Sequence, residues 1–213
     1  MNKILRINKV VKSFNKKIFV AGDKSLSIRW VLMASLSKKK STAYNLLISE
    51  DVLSAINCVK KLGSKVKLTN KKCEIIGNGL NFNFTKNLLI DAGNSGTLGR
   101  LILGLLVNSK KKFKLVGDKS LSKRDFSRVI IPLKKFGAKF ETKKNKLPIK
   151  MTGLDDPKPI KYFEKKGSAQ CKSAIMFAGL KTKGLTSIKA KKSRSHTEIM
   201  FKHMKIPIKI KKT

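Results

Sequence analysis

Four short stretches of this chain combine cations, hydroxyls, amides and glycine in ways that suit an anionic ligand. The first is Gly22-Asp23-Lys24-Ser25-Leu26-Ser27-Ile28-Arg29. Gly22 allows a tight turn out of a strand, and Ser25 and Arg29, at i and i+4, are neighbours on one helix face. Lys24 stands at the helix start, where free N–H groups and the dipole favour negative charge. Two cations, a hydroxyl and a helix N-terminus describe a pocket for phosphate or carboxylate. Burying an unpaired guanidinium is costly, so Arg29 needs either such a ligand or an internal carboxylate. The second stretch, Asp91-Ala92-Gly93-Asn94-Ser95-Gly96-Thr97, leads towards Arg100. Its glycines permit close backbone approach to a ligand, and the same residues also suit a plain helix-capping loop. The third, Gly117 to Ser122, repeats Gly22 to Ser27 letter for letter and runs on to Lys123-Arg124. The fourth, Gly167-Ser168-Ala169-Gln170, is a small polar helix start with an amide able to bridge two ligands. His196 and His203 read as surface or packing residues. No HxxE pattern or carboxylate pair points to a metal site or an acid–base dyad.

The elements that must carry these residues form an internal repeat. Ser25 to Leu36, Gly96 to Val107 and Ser168 to Leu180 each read as a buried helix with one cation: Arg29, Arg100 and Lys172. Each cation follows a small leading residue by four positions, and the helix starts lie 71 and 72 residues apart. An amphipathic helix follows each. Val52, Leu53, Ile56, Val59 and Leu62 share one face, with Ser49 as N-cap and Gly63 as stop. Phe126, Val129, Ile130, Leu133 and Phe136 do the same before Gly137, with Pro132 expected to kink the helix or delay its start. Ser195 and Glu198 predict a capping box before Ile199, Met200 and Phe201. Alternating strands come next, at 65–68, 139–142 and 206–210, with further strands between the paired helices. The unit is therefore strand, buried helix, strand, amphipathic helix, strand, strand, the third copy lacking its last strand. The expected fold is α/β: three sheets with one wet face each, around three buried helices, as one domain over residues 21–213. Residues 1–20 read as a strand or two, Ile4 to Ile7 and Ile18 to Ala21.

The chain has 213 residues and a formal net charge of +38, with 41% apolar residues. That is apolar enough for a core, which argues against disorder. No apolar run approaches the ~18 residues of a membrane span, and no apolar h-region marks a secretory signal. Cys58, Cys73 and Cys171 form no CxxC, so neither a disulfide framework nor a zinc site is implied, and a reducing cytoplasm is the default. The charge raises nucleic acid as a partner. Yet 44 of the 50 basic residues are Lys, scattered over solvated faces, and only 6 are Arg. Guanidinium gives bidentate recognition that Lys cannot copy, so Arg29, Arg100, Arg124, Arg128 and Arg194 carry more information than the lysine excess.

Together GDKSLSIR, DAGNSGTLGR, GDKSLSKRDFSRVIIPLKKFGA, GSAQCKSAIMFAGL and SRSHTE, in this order, resemble the 5-enolpyruvylshikimate-3-phosphate synthase family of enolpyruvyl transferases. The resemblance covers about residues 15 to 213. It implies two domains of threefold α/β repeats with the active site between them. It also implies transfer of the enolpyruvyl group of phosphoenolpyruvate to the 5-hydroxyl of shikimate 3-phosphate, with release of phosphate and no cofactor. Lys24, Ser25, Arg29, Ser168, Ala169 and Gln170 would bind shikimate 3-phosphate, with Arg194 as a further candidate. Lys24, Gly96, Arg124 and Gln170 would bind phosphoenolpyruvate, with Asn94 and Thr97 shaping that loop. Asp125-Phe126 departs from the family's usual Pro and apolar residue, which bears on the aim of Arg124. Family chains are about twice as long, so the resemblance implies an incomplete half. Residues 1–20 would then belong to a second domain, which would hold the catalytic acid and base. The family is usually monomeric and cytoplasmic, with no specific nucleic acid and no membrane.

Two other readings compete. The transferase acting on UDP-N-acetylglucosamine shares the fold but usually has Lys-Asn where this chain has Lys24-Ser25, and a Cys in its mobile loop. No Cys lies near Ser120 to Arg124. A nucleic-acid-binding module would need aromatic platforms or a recognition helix, and the 7% aromatics fall mostly at helix-core periods.

Overall fold

The computed structural model describes residues 4, 6–10, 12–70, 72–82, 84, 85 and 87–211. The three buried helices set the frame: α1 is Lys24–Ala34, α3 is Gly96–Leu105 and α6 is Ala169–Gly179. In α3 every residue but Arg100 is buried. Such helices have no solvated face to present, so they must lie inside a domain. Helices α3 and α6 pack so closely that a Cβ on Gly104 would stand 2.1 Å from the Ala174 carbonyl oxygen. Only glycine permits that approach.

Amphipathic helices cover this centre. They are α2 (Glu50–Lys61), α5 (Ser127–Lys135) and α7 (His196–His203); a short α4 (Lys119–Lys123) precedes α5. Their apolar residues, among them Val52, Ile56, Val59, Val129, Ile130, Leu133 and Phe201, join one continuous core with the buried helices. The sheets lie outside. In the first, β1 (Ser41–Tyr44), β3 (Lys72–Ile76) and β2 (Lys65–Leu68) run in that order, antiparallel. In the second, the order is β4 (Leu88–Asp91), β5 (Phe113–Val116), β7 (Ile149–Thr152) and β6 (Lys139–Glu141), with only β4 and β5 parallel. The third is a parallel pair, β8 (Lys161–Glu164) and β9 (Ser187–Ala190). The second copy shows the whole predicted unit.

Several expectations are corrected. Residues 206–210 form no strand. In the first two sheets the strand after the amphipathic helix pairs only with the strand that follows it, β2 with β3 and β6 with β7. The third sheet has no such following strand among the described residues, so 206–210 has no ladder to join. Ile206 and Ile208 pack on the core instead. Residues 18–21 carry no ladder either, and Ile18, Phe19 and Val20 are exposed. Of residues 4 to 7, the described ones are also outside any strand, and Leu5 lies outside the described residues. Pro132 lies within α5. Having no N–H, it leaves the Arg128 carbonyl without its helical donor, and the Cys171 thiol donates to that carbonyl at 2.9 Å. The capping box is not made: Ser195 is the N-cap of α7 without a side-chain bond, and Glu198 pairs with Lys172. Ser49 caps α2 by position only.

Among the described residues, no helix is long and apolar enough to cross a membrane. The three cysteines are free and buried, and burial pushes the Cys58 and Cys171 thiols up to about 12.

Candidate active site

The N-terminal turns of four helices meet at one cleft of about 390 Å³. Helix α1 brings Ser25 and Arg29, and α3 brings Thr97. The turn into α6 brings Gly167, Ser168, Ala169 and Gln170, and the turn into α7 brings Ser193, Arg194 and His196. Residues from all three sequence repeats thus share a cavity. Free N–H groups and helix dipoles aimed at one place favour an anion there.

Each wall is fixed locally. Asp23 caps α1 by accepting from the Leu26 amide at 2.7 Å. Ser95 caps α3 and Ser168 caps α6 in the same manner. Glu164, buried at the end of β8, accepts from the Lys166 amide at 3.1 Å and the Ser168 amide at 2.7 Å. It therefore ties down the turn that presents Ser168 to Gln170. The Gln170 amide donates to Thr97 Oγ1 at 3.1 Å, which joins α6 to α3 across the cleft. Arg29 is buried, and loss of solvent pushes its pKa below the ordinary arginine value. It contacts no carboxylate among the described residues. The carboxylate of Glu198 that would be its internal partner is taken by Lys172, the residue at the matching position of α6.

Beside the cleft lies a second basic cluster around Gly96. A Cβ there would stand 2.8 Å from Arg100 Nη1 and 3.1 Å from Arg124 Nη1, so glycine lets two guanidiniums close on the start of α3. Asn94 bridges Arg124 to the next loop. Its carbonyl oxygen accepts from Arg124 Nη2 at 3.2 Å, and its amide donates to Asp118 at 2.6 Å. The Asn94 amide first, then the Leu121 amide, hold the Asp118 carboxyl below the usual carboxylate range. Arg100 reaches the Asp125 backbone carbonyl at 3.1 Å and stacks over Phe126, 4.9 Å from the ring centre. Burial, then the charges of Arg124 and Arg128, lower its pKa. The Asp125-Phe126 departure thus anchors Arg100, and its carboxylate, bonded to Ser127, starts α5. Arg124 stays aimed at Asn94 and Ser120.

The structure brings together Ser25, Arg29, Thr97, Ser168, Ala169, Gln170 and Arg194 at the cleft, with Gly96, Asn94 and Arg124 beside it. Lys24 is placed differently: its ammonium lies 3.2 Å from Asp51 at the start of α2 and does not line the cavity. His196 and Ser193, not singled out as site residues from sequence, do line it. Their Nδ1 and Oγ atoms are buried without a hydrogen-bond partner among the described residues. The signal lies in SRSHTE, where the serine and histidine flank the more conspicuous arginine.

A threefold α/β repeat brings its helix starts to one cleft lined by a buried arginine, hydroxyls and an amide. The chain belongs to the EPSP synthase (3-phosphoshikimate 1-carboxyvinyltransferase) family, whose model matches residues 9–213. It is 42% identical over 201 residues to a 3-phosphoshikimate 1-carboxyvinyltransferase of Caldicellulosiruptor bescii, covering 93% of this chain and 46% of that protein. It is 38% identical over 200 residues to the Lactococcus lactis protein of the same name, covering 92% and 46%. The solved structure of EPSP synthase from Acinetobacter baumannii superposes with a TM-score of 0.87 at 32% identity, covering 92% of this chain and 45% of that one. The chain spans about half the length of the relatives it matches.

Proposed function

We propose that this chain forms the shikimate 3-phosphate side of an enolpyruvyl transferase. That enzyme moves the enolpyruvyl group of phosphoenolpyruvate to the 5-hydroxyl of shikimate 3-phosphate and releases phosphate. The observation that carries the proposal is the cleft where Arg29 of the first repeat and Gln170 and Arg194 of the third face one space without an acid lining it. Arg29 and Arg194 neutralise the substrate's carboxylate and phosphate. Ser25, Ser168 and the backbone around Ala169 take its remaining polar atoms, and Gln170 stands between this ligand and the next. Phosphoenolpyruvate lies towards Gly96, Arg124 and Asn94. Lys24, whose side chain is half exposed, joins it by leaving Asp51. The family name supports the reaction, and the threefold repeat supports a partner domain built alike, to which residues 1–20 contribute. The location is cytoplasmic, with a monomeric state and no nucleic-acid role.

Charge-assisted hydrogen bonds to a buried guanidinium are among the strong ones. Arg29→Ala should weaken shikimate 3-phosphate binding by roughly 10–100-fold. Calorimetry on the wild type and the variant checks this, and equal affinities would refute the assignment. The described cleft offers no carboxylate to protonate the methylene carbon or take the hydroxyl proton, work that typically contributes ~10²–10⁴-fold. The purified chain given both substrates should therefore release no phosphate above background. Turnover at about 1–10³ per second would show that it holds its own acid and base.

A further inference from the structure

Arg29 is 3% exposed, yet no carboxylate holds it among the described residues. Its Nε donates to Thr197 Oγ1 at 2.8 Å, its Nη1 to the Ser25 carbonyl at 3.0 Å and its Nη2 to Ser173 Oγ at 3.2 Å. The two hydroxyls are 1% exposed each and lie 2.7 Å apart. Ser173 spends its single proton on the Ala169 carbonyl at 2.7 Å. The proton between the hydroxyls is therefore that of Thr197, and both oxygens keep lone pairs for the guanidinium. The polarity runs one way: Arg29 Nε–H to Thr197, Thr197 O–H to Ser173, Ser173 O–H to Ala169. One N–H on each terminal nitrogen of Arg29 remains for a ligand in the cleft that Arg29 lines.

We propose that Ser173 and Thr197 are positioning residues that fix the plane of Arg29 with neutral oxygens, leaving its charge and its two remaining N–H groups to the anionic substrate. The proposal rests on the reading of the cleft as the shikimate 3-phosphate site. A carboxylate at either position would hold Arg29 as firmly but would cancel its charge. The surroundings are built to avoid that. Glu198, whose charge reaches Arg29, is turned to Lys172. The three hydrogen-bonded contacts come from α1, α6 and α7, so the same bracket ties three of the four elements whose starts form the cleft.

The test uses the purified chain with shikimate 3-phosphate in calorimetry, and the exchange rate of the Arg29 Nε proton by NMR. Thr197→Val keeps the side-chain shape and removes the hydroxyl. It should weaken binding about tenfold, as expected for a lost bond to a charged group, and should speed exchange of the Arg29 Nε proton. Thr197→Ser should restore wild-type affinity and slow exchange, which lost packing alone would not do. In an Arg29→Ala background, Thr197→Val should cost no further affinity. Ser173→Ala gives the second arm, with the same direction, if Thr197→Val does not fold. Unchanged affinity and unchanged exchange in the two hydroxyl-deleted variants would overturn the proposal, as would equal losses from Thr197→Val with and without Arg29. A wild type that binds no shikimate 3-phosphate would overturn the ligand reading, while the exchange rates would still decide whether the hydroxyls hold Arg29.

Discussion

Gly22 to Ser27 and Gly117 to Ser122 are the same six letters, yet Leu26 is 39% exposed and Leu121 is 0% exposed. Their local chemistry is shared. Asp23 accepts from the Leu26 amide at 2.7 Å, and Asp118 accepts from the Leu121 amide at 2.6 Å. Each aspartate caps a helix through the amide three residues on. The identity is thus local chemistry, independent of the longer repeat. The residues beyond the six letters are of opposite character. After Ser27 come Ile28, Val31, Leu32 and Met33, all buried, and α1 continues to Ala34. After Ser122 come Lys123, Arg124 and Asp125, all exposed, and α4 ends after one turn. The serines diverge as well. Ser27 is buried and accepts from the Leu47 amide at 3.1 Å, whereas the Ser122 hydroxyl donates back to the Gly117 carbonyl at 3.2 Å. A cap sets where a helix begins; the apolar run behind it sets how far it goes and which face turns inward.

The largest test of this contrast is in the leucines. Leu121→Ala should cost about 2–5 kcal/mol, the usual range for a buried leucine. Leu26→Ala should cost no more than about 1 kcal/mol, because much of that side chain is already in water. Urea denaturation of the two variants measures both, and equal losses would show that the two copies sit in equivalent environments. A smaller effect lies in the caps. Asp118 also accepts from the Asn94 amide, and its carboxyl is held below the ordinary range, so its stabilising contribution is present above its unfolded value of about 3.9. That contribution is lost as pH falls through the depressed folded value. Carboxyl NMR should therefore find Asp118 titrating below the ordinary aspartate range. An Asp118 that titrates at or above about 3.9 would mean the Asn94 bridge to Arg124 is not made in solution.

Much of the site was legible. Ser25, Arg29, Ser168, Ala169 and Gln170 line one cleft, because each lies within two turns of a capped helix start and its position follows from local geometry. Arg29 and Arg100 even repeat one detail. Each donates Nη1 to the carbonyl four residues earlier, at 3.0 Å to Ser25 and 3.1 Å to Gly96. What was not legible lies in contacts between distant segments. Lys24 reads as a ligand cation, but Asp51 on the neighbouring helix holds it. Ser195 and Glu198 have the spacing of a capping box, but Lys172 across the core attracts the carboxylate. His196 looks unremarkable until α7 docks beside α6.

Periodicity and motif spacing alone carry the repeat, the buried helices with their single cations and the motifs of the family. These follow from periodicity and from bonds spanning a few residues, which any copy of the same letters makes again. The fate of each cation was set by long-range packing. Arg29 meets hydroxyls 144 and 168 residues away, Arg100 meets a carbonyl 25 residues on and the Phe126 ring, and Lys172 meets Glu198. Three helices of one pattern end in three environments because a buried charge takes the best partner that packing brings within reach, and packing is set by the whole chain at once.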